Sequence, residues 1–100
     1  MITTKQRAYF RSLANSIEPT TQLGKLGIGD NVIKTVSLAL EAHELVKLTV
    51  LETSPLSPKE VMVELCNALE CEAVQVIGRK VVIYRQSSKE ENRKIVLPRK

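Results

Sequence analysis

Along this chain the spacing of apolar residues switches three times from a helical period to a β-branched run, and that alternation restricts the fold more than any other feature. Residues 4–16 are the first helical stretch, with Ala8, Leu13 and Ile17 in an irregular apolar stripe beside Tyr9 and Phe10. Thr3 or Thr4 suits its start, and Glu18-Pro19 ends it, because the residue before proline is pushed out of the α region. A short β-capable piece, Thr20-Thr21-Gln22-Leu23, runs into Gly24-Lys25-Leu26-Gly27 and then Ile28-Gly29-Asp30. Asp30 suits the cap of a second helix over 31–43, where Val32, Val36, Ala39, Leu40 and His43 recur at helical spacing with Ile33 alongside. Residues 45–51 follow as a strand, Lys47 and Thr49 alternating against apolar neighbours.

Ser57-Pro58-Lys59-Glu60 is a strong helix start: serine at the N-cap, proline at the first helical position and glutamate completing a capping box. This third helix runs to Leu69 and buries Val61, Leu65, Ala68 and Leu69, with Glu60 and Glu64 outward. Residues 73–77 and 80–84 are two strands joined by Gly78-Arg79, short enough for a hairpin. The order α-β-α-β-α-β-β implies right-handed parallel crossovers and a final antiparallel pair. The expected fold class is α/β, a single small domain with a mixed four-stranded sheet packed with helices. From Gln86 the sequence turns polar and charged, so residues 1–85 form the domain and 86–100 a basic tail, with Ile95-Val96-Leu97 available as a short docked strand.

One hundred residues are enough for one core and no more. With 43% apolar and 26% charged residues the chain has the composition of a soluble globular domain. Apolar runs such as Val81-Val82-Ile83 are too short to span a bilayer, and Met1–Lys5 has no apolar signal core. Two cysteines with no Cys/His ligand pattern argue against a disulfide framework or a zinc module. A cytoplasmic location and no membrane partner are therefore expected.

The net charge of +4 is unevenly placed. Residues 1–40 hold five basic and two acidic groups, 41–78 two basic and seven acidic, and 79–100 eight basic and two acidic. Positive charge thus sits at both ends of the chain around an acidic middle. A solvated surface is the plain reading; a polyanion partner is the pointed one.

Catalytic chemistry is poorly supplied. His43, the one histidine, falls near the end of the second helix with no serine or cysteine nucleophile paired to it. Cys66 and Cys71, five apart at a helix end, are expected to point different ways and to act as buried small hydrophobes. No enzyme, cofactor, metal or small-molecule substrate is expected. Gly24-Lys25-Leu26-Gly27 differs because it precedes a helix N-terminus, where unpaired backbone N–H groups and the positive dipole end favour a phosphate. A tight turn would also use glycines; set beside two basic chain ends, the phosphate reading overtakes it. Tyr9, Phe10 and Tyr84 are too few for a base-stacking sheet, so binding through phosphates and shape is favoured over base-by-base reading.

Several segments in this order resemble the CRM domain family (chloroplast RNA splicing and ribosome maturation), in particular its stand-alone bacterial YhbY-type members. They are residues 5–14 (Lys5-Gln6-Arg7-Ala8-Tyr9-Phe10 and onward), Gly24-Lys25-Leu26-Gly27, residues 45–52, Pro58-Lys59-Glu60, and residues 76–85 from Val76-Ile77-Gly78-Arg79-Lys80 to Arg85. The resemblance implies a fold like the C-terminal domain of bacterial translation initiation factor 3, and RNA binding with the Gly-x-x-Gly loop at the RNA surface. It further implies association with large-subunit ribosomal precursors. In the family the loop often reads Gly-Lys-Gly-Gly or Gly-Lys-Lys-Gly; here Leu26 takes the third place. The splicing members repeat the domain, so their role is not carried over to one copy.

The expectation is a monomeric, non-enzymatic RNA-binding protein of large-subunit assembly. Gly24, Lys25, Leu26 and Gly27 would meet the phosphate backbone, and Arg7, Arg11, Arg79, Lys80 and Arg85 would extend the positive surface if the first helix and final hairpin flank the loop. Two rivals stand beside it. One is a translation-linked factor of the small subunit or mature ribosomes. The other is an adaptor docking a basic protein through Glu41, Glu44, Glu60 and Glu64.

Overall fold

The structure, a computed structural model, describes residues 4–15, 17–19, 21–25 and 27–88. Its elements are α1 (Thr4–Ala14), β1 (Thr21–Leu23), α2 (Asp30–His43), β2 (Leu45–Val50), α3 (Pro58–Leu69), β3 (Glu72–Ile77) and β4 (Lys80–Tyr84), in the expected order. The strands form one sheet ordered β1-β2-β4-β3. β1 runs parallel to β2, while β4 is antiparallel to both its neighbours. The last strand in sequence is therefore an inner strand, inserted between β2 and β3.

Strand alternation divides the core into two layers. Val46, Leu48 and Val50 of β2 and Val81 and Ile83 of β4 face α2 and α3, against Val36, Leu40, Val61, Leu65 and Leu69. Leu45, Val82 and Tyr84 face the other way, where Phe10 and Ala14 of α1 cover them. The Phe10 and Tyr84 rings stack with centroids 4.2 Å apart. Being covered on both faces, β4 is buried from Val81 to Tyr84, which is why it reads as an unbroken apolar run. The β3–β4 turn is the two-residue hairpin expected, with Gly78 at φ 56° in its first central position.

The capping box holds as read: the Ser57 hydroxyl accepts from the Glu60 amide and the Glu60 carboxylate accepts from the Ser57 amide. Some details differ from expectation. α1 stops at Ala14, whose carbonyl accepts from the Ile17 amide and from Lys47 Nζ instead of continuing the helix. Asp30 lies in the first turn of α2 and Gly29 is the N-cap. Ala68 is exposed, because the buried stripe of α3 runs through Val61, Leu65 and Leu69 only. Thr3, Thr20, Leu26 and the strand expected at 95–97 lie outside the described residues.

Candidate functional site

Parallel pairing of β1 and β2 sets the site. Leu23 lies opposite Val50, and the Leu51 amide donates to the Leu23 carbonyl at 2.8 Å, so both strands end at the same edge. Leaving β1, the chain turns at once, closed by the Gly27 amide donating to the Gly24 carbonyl at 2.9 Å. Gly27 has φ 63°, a conformation that favours glycine, and a Cβ there would stand 3.1 Å from Pro55 Cγ, so the proline would have to shift slightly. Gly24 is freer, since its Cβ would make ordinary contact with Thr53 Oγ1 at 3.6 Å. Lys25 is exposed in the turn.

Behind the turn α2 begins with Gly29 as N-cap and no side-chain bond to its first amides. Those donors and the positive dipole end are not spent on a cap. Asp30 in the first turn offsets part of that potential, which leaves Lys25 as the cation of the loop. An open groove of about 360 Å³ runs beside the turn, with Gln22, Lys25 and Val32 on its walls.

The β3–β4 hairpin brings two further cations to this edge. Lys80 lies opposite Thr49, next to the end of β2. Arg79 Nε donates to the Val50 carbonyl at 2.9 Å and Nη2 to the Leu51 carbonyl at 2.6 Å, while the Val50 amide donates to the Arg79 carbonyl at 2.7 Å. Arg79 thus clamps the hairpin onto the end of β2 yet stays exposed. Lys47 was not among the expected site residues. It shares a small cavity of about 60 Å³ with Lys80 on the α1 face, and its Nζ donates to the Ala14 carbonyl at 3.2 Å. The signal for it was there: period-two alternation puts Lys47 on the same face as Leu45, away from Val46 and Leu48.

The remaining arginines separate. Arg7 is half-buried and its Nε donates to the Ala73 carbonyl at 3.1 Å, tying α1 to β3. Arg11 is exposed one turn later, on a helix that carries no acidic residue. Arg85 sits beyond the opposite end of β4 from Lys80. Its guanidinium donates to the Leu69 and Ser37 carbonyls at 3.1 and 3.2 Å, to Ser37 Oγ at 3.0 Å and to Glu41 at 3.4 Å. It joins α2, α3 and β4 and is not brought together with the loop.

The acidic residues also part company with expectation. Glu44 is buried, accepting from the Ser87 amide at 2.9 Å, and so cannot serve as a docking surface. Glu41 accepts from the Ser88 hydroxyl and amide and pairs with Arg85; these bonds, the Ser88 ones foremost, hold its carboxyl below the usual glutamate range. Glu60 is spent on the α3 cap, leaving Glu64 exposed. The two thiols, expected to diverge, meet: Cys71 Sγ lies 3.7 Å from Cys66 Sγ. The cause is Glu70, whose left-handed φ of 53° folds the chain back over the end of α3.

Among the described residues no cluster of His, Cys, Asp and Glu is placed to hold a metal, and no helix is long and apolar enough to cross a membrane. What the fold defines is a small mixed-sheet α/β domain with a glycine-framed cationic edge. Residues 2–85 match the CRS1 / YhbY (CRM) domain, and the chain belongs to that family. It is 40% identical over 98 residues to "Probable RNA-binding protein YqeI" of Bacillus subtilis, covering 98% of this chain and all of that one. It is 32% identical over 99 residues to "RNA-binding protein" of Haemophilus influenzae, covering 99% of this chain and 97% of that one. The solution structure of SAV1595 from Staphylococcus aureus superposes with a TM-score of 0.80 at 46% identity, covering 98% of this chain and all of that one.

Proposed function

We propose that this protein binds RNA through its phosphate backbone at the edge built from the β1–α2 turn and the β3–β4 hairpin. The observation that carries the reading is that Lys25 stands in the turn before uncapped helix amides while Arg79 and Lys80 lie at the same end of the sheet, in a family whose relatives are named RNA-binding proteins. Gly24, Lys25, Leu26 and Gly27 approach the backbone, Arg79 and Lys80 flank them, and Lys47 adds charge on the α1 side. Arg7 and Arg11 extend the basic surface along α1. Arg85, its donors engaged inside the fold, supports the domain rather than the ligand. Binding is non-catalytic, and the protein acts as a cytoplasmic monomer.

The same reading extends to a role in large ribosomal subunit assembly, which the CRM resemblance supplies. A translation-linked factor is separated from it by where the protein sediments. The adaptor reading is weakened by the burial of Glu44 and the engagement of Glu41 and Glu60. Replacing Lys25 and Leu26 together by aspartate is expected to abolish RNA binding, measured by filter retention, while leaving the circular dichroism spectrum unchanged. Unchanged affinity in that variant would overturn the proposed site.

A further inference from the structure

We propose that Cys66 and Cys71 form a redox-active dithiol that reacts with small-molecule disulfides of the glutathione type and closes to an intramolecular disulfide. The two sulfurs already touch at 3.7 Å. An S–S bond is about 2.05 Å long, so closure asks for roughly 1.7 Å of approach. The backbone between them is suited to give it: α3 ends at Leu69, Glu70 makes the left-handed reversal, and Cys71 is the residue before β3 begins at Glu72. Closure would draw on rotation of the two side chains and adjustment of that link, which lies outside both the helix and the strand.

The two thiols are unequal in a way that assigns their parts. Cys66 is half-buried on α3 and open to a small reagent, whereas Cys71 is buried, at 6% exposure. The Cys71 thiol donates toward Cys66 Sγ, and also toward the Leu65 carbonyl at 3.6 Å. That donated bond favours the Cys66 thiolate and pulls its pKa below the ordinary thiol value, against desolvation and the nearby Glu72 carboxylate. The same bond, with burial, pushes the Cys71 thiol up. Cys66 is the attacking group and Cys71 the resolving one.

The exchange balances in two steps. Cys66 thiolate attacks one sulfur of the small disulfide; a mixed disulfide forms at Cys66, and the other half leaves as a thiolate and takes a proton from water. With Cys66 capped, no thiolate remains to hold the Cys71 proton. Cys71 gives that proton to solvent and attacks Cys66 Sγ; the Cys66–Cys71 bond forms, and the second half of the reagent leaves and is protonated. The protein loses two electrons and two protons, and the small disulfide is reduced to two thiols. The pair lies at the Glu72–Tyr84 end of the sheet, away from the Gly24–Gly27 turn, so the inference stands apart from the RNA reading.

The test incubates the full chain with oxidised glutathione, quenches with an alkylating agent and reads intact mass. The wild type is expected to lose the mass of two hydrogens, to resist alkylation and to recover both on reduction. Cleavage by a glutamate-specific protease at Glu70, between the cysteines, should release the flanking peptides joined by one disulfide. Cys71→Ser should stop at a single glutathione adduct on Cys66, and Cys66→Ser should react at least about tenfold more slowly, its remaining thiol being buried. Glutathione adducts without the internal bridge, or a cross-linked dimer, in the wild type would overturn the proposal. So would equal rates for the two variants. The wild-type measurement needs no variant to fold.

Discussion

At the scale of single residues, the two glycines that frame the turn have unequal duties. Gly27 holds φ 63° with Pro55 Cγ at 3.1 Å from any added Cβ, while Gly24 has neither constraint. Gly27→Ala is therefore expected to destabilise the domain by about 1–3 kcal/mol, the cost of a left-handed non-glycine residue plus displacement of Pro55. Gly24→Ala should stay within about 0.5 kcal/mol of wild type, as substitutions away from strained or buried features do. Urea unfolding of both variants checks this, and equal midpoints would contradict the turn as described. The pattern Gly-x-x-Gly was legible in the sequence, but its internal asymmetry was not, because Pro55 meets Gly27 from a loop far along the chain. The thiol contact was hidden for a related reason. Helical spacing alone separates Cys66 from Cys71; only a left-handed Glu70, for which a glutamate gives no signal, brings them together.

At the scale of elements, the features legible in advance were those written in local chemistry: the Ser57–Glu60 capping box, the Gly78-Arg79 hairpin, and the alternation of helix and strand periods. What stayed hidden were long-range hydrogen bonds, above all those of Arg85. A cationic residue after a strand reads as surface charge, yet Arg85 satisfies carbonyls at Leu69 and Ser37 on two different helices. Arg85→Met should cost about 1.5–3 kcal/mol in chemical denaturation, the range for hydrogen bonds made by a charged group. Lysine should not restore it, lacking the planar fork that reaches both acceptors. RNA affinity of the folded variant should match wild type; a loss as large as that of a Lys25 variant would move Arg85 from the scaffold to the interface. The α3 cap makes a separate prediction about pH. The Ser57 amide, then the Ser57 hydroxyl, hold the Glu60 carboxyl below its ordinary value of 4.5. A lowered folded-state value stabilises the fold fully above the unfolded one and is lost as pH falls through the folded one. The stability gap between wild type and Glu60→Ala should thus be constant near neutrality and narrow as pH drops below 4.5. A gap that widens on acidification would mean the cap is not carried by the carboxylate.

At the scale of the whole molecule, sequence charge predicted two basic ends around an acidic middle, and the fold turns that order into geometry. α1, with Lys5, Arg7 and Arg11 and no acid, covers one face of the sheet, where Lys47 and Lys80 join it. α2 and α3 cover the other face with mixed charge that includes the exposed Glu64. On the proposed RNA-binding reading, such asymmetry would orient a polyanion toward the α1 side and the Gly24–Gly27 edge and make association depend on salt. If about five phosphates are neutralised, log affinity for an RNA fragment should fall against log salt with a slope of roughly −3.5 to −4.5. Removing one contributing cation, as in Lys80→Ala, should shallow that slope by roughly 0.7–0.9. Arg85→Met should leave it unchanged, because that charge lies away from the edge. The assembly role is decided by sedimenting native lysate at low and high salt. Co-migration with large-subunit precursors that disappears at high salt is the expected outcome, since a contact made mainly to phosphates is released by counterions. Protein found with the small subunit or mature ribosomes would favour the translation-linked reading. Co-migration that survives both high salt and nuclease would place the binding energy in protein contacts and bring the adaptor forward.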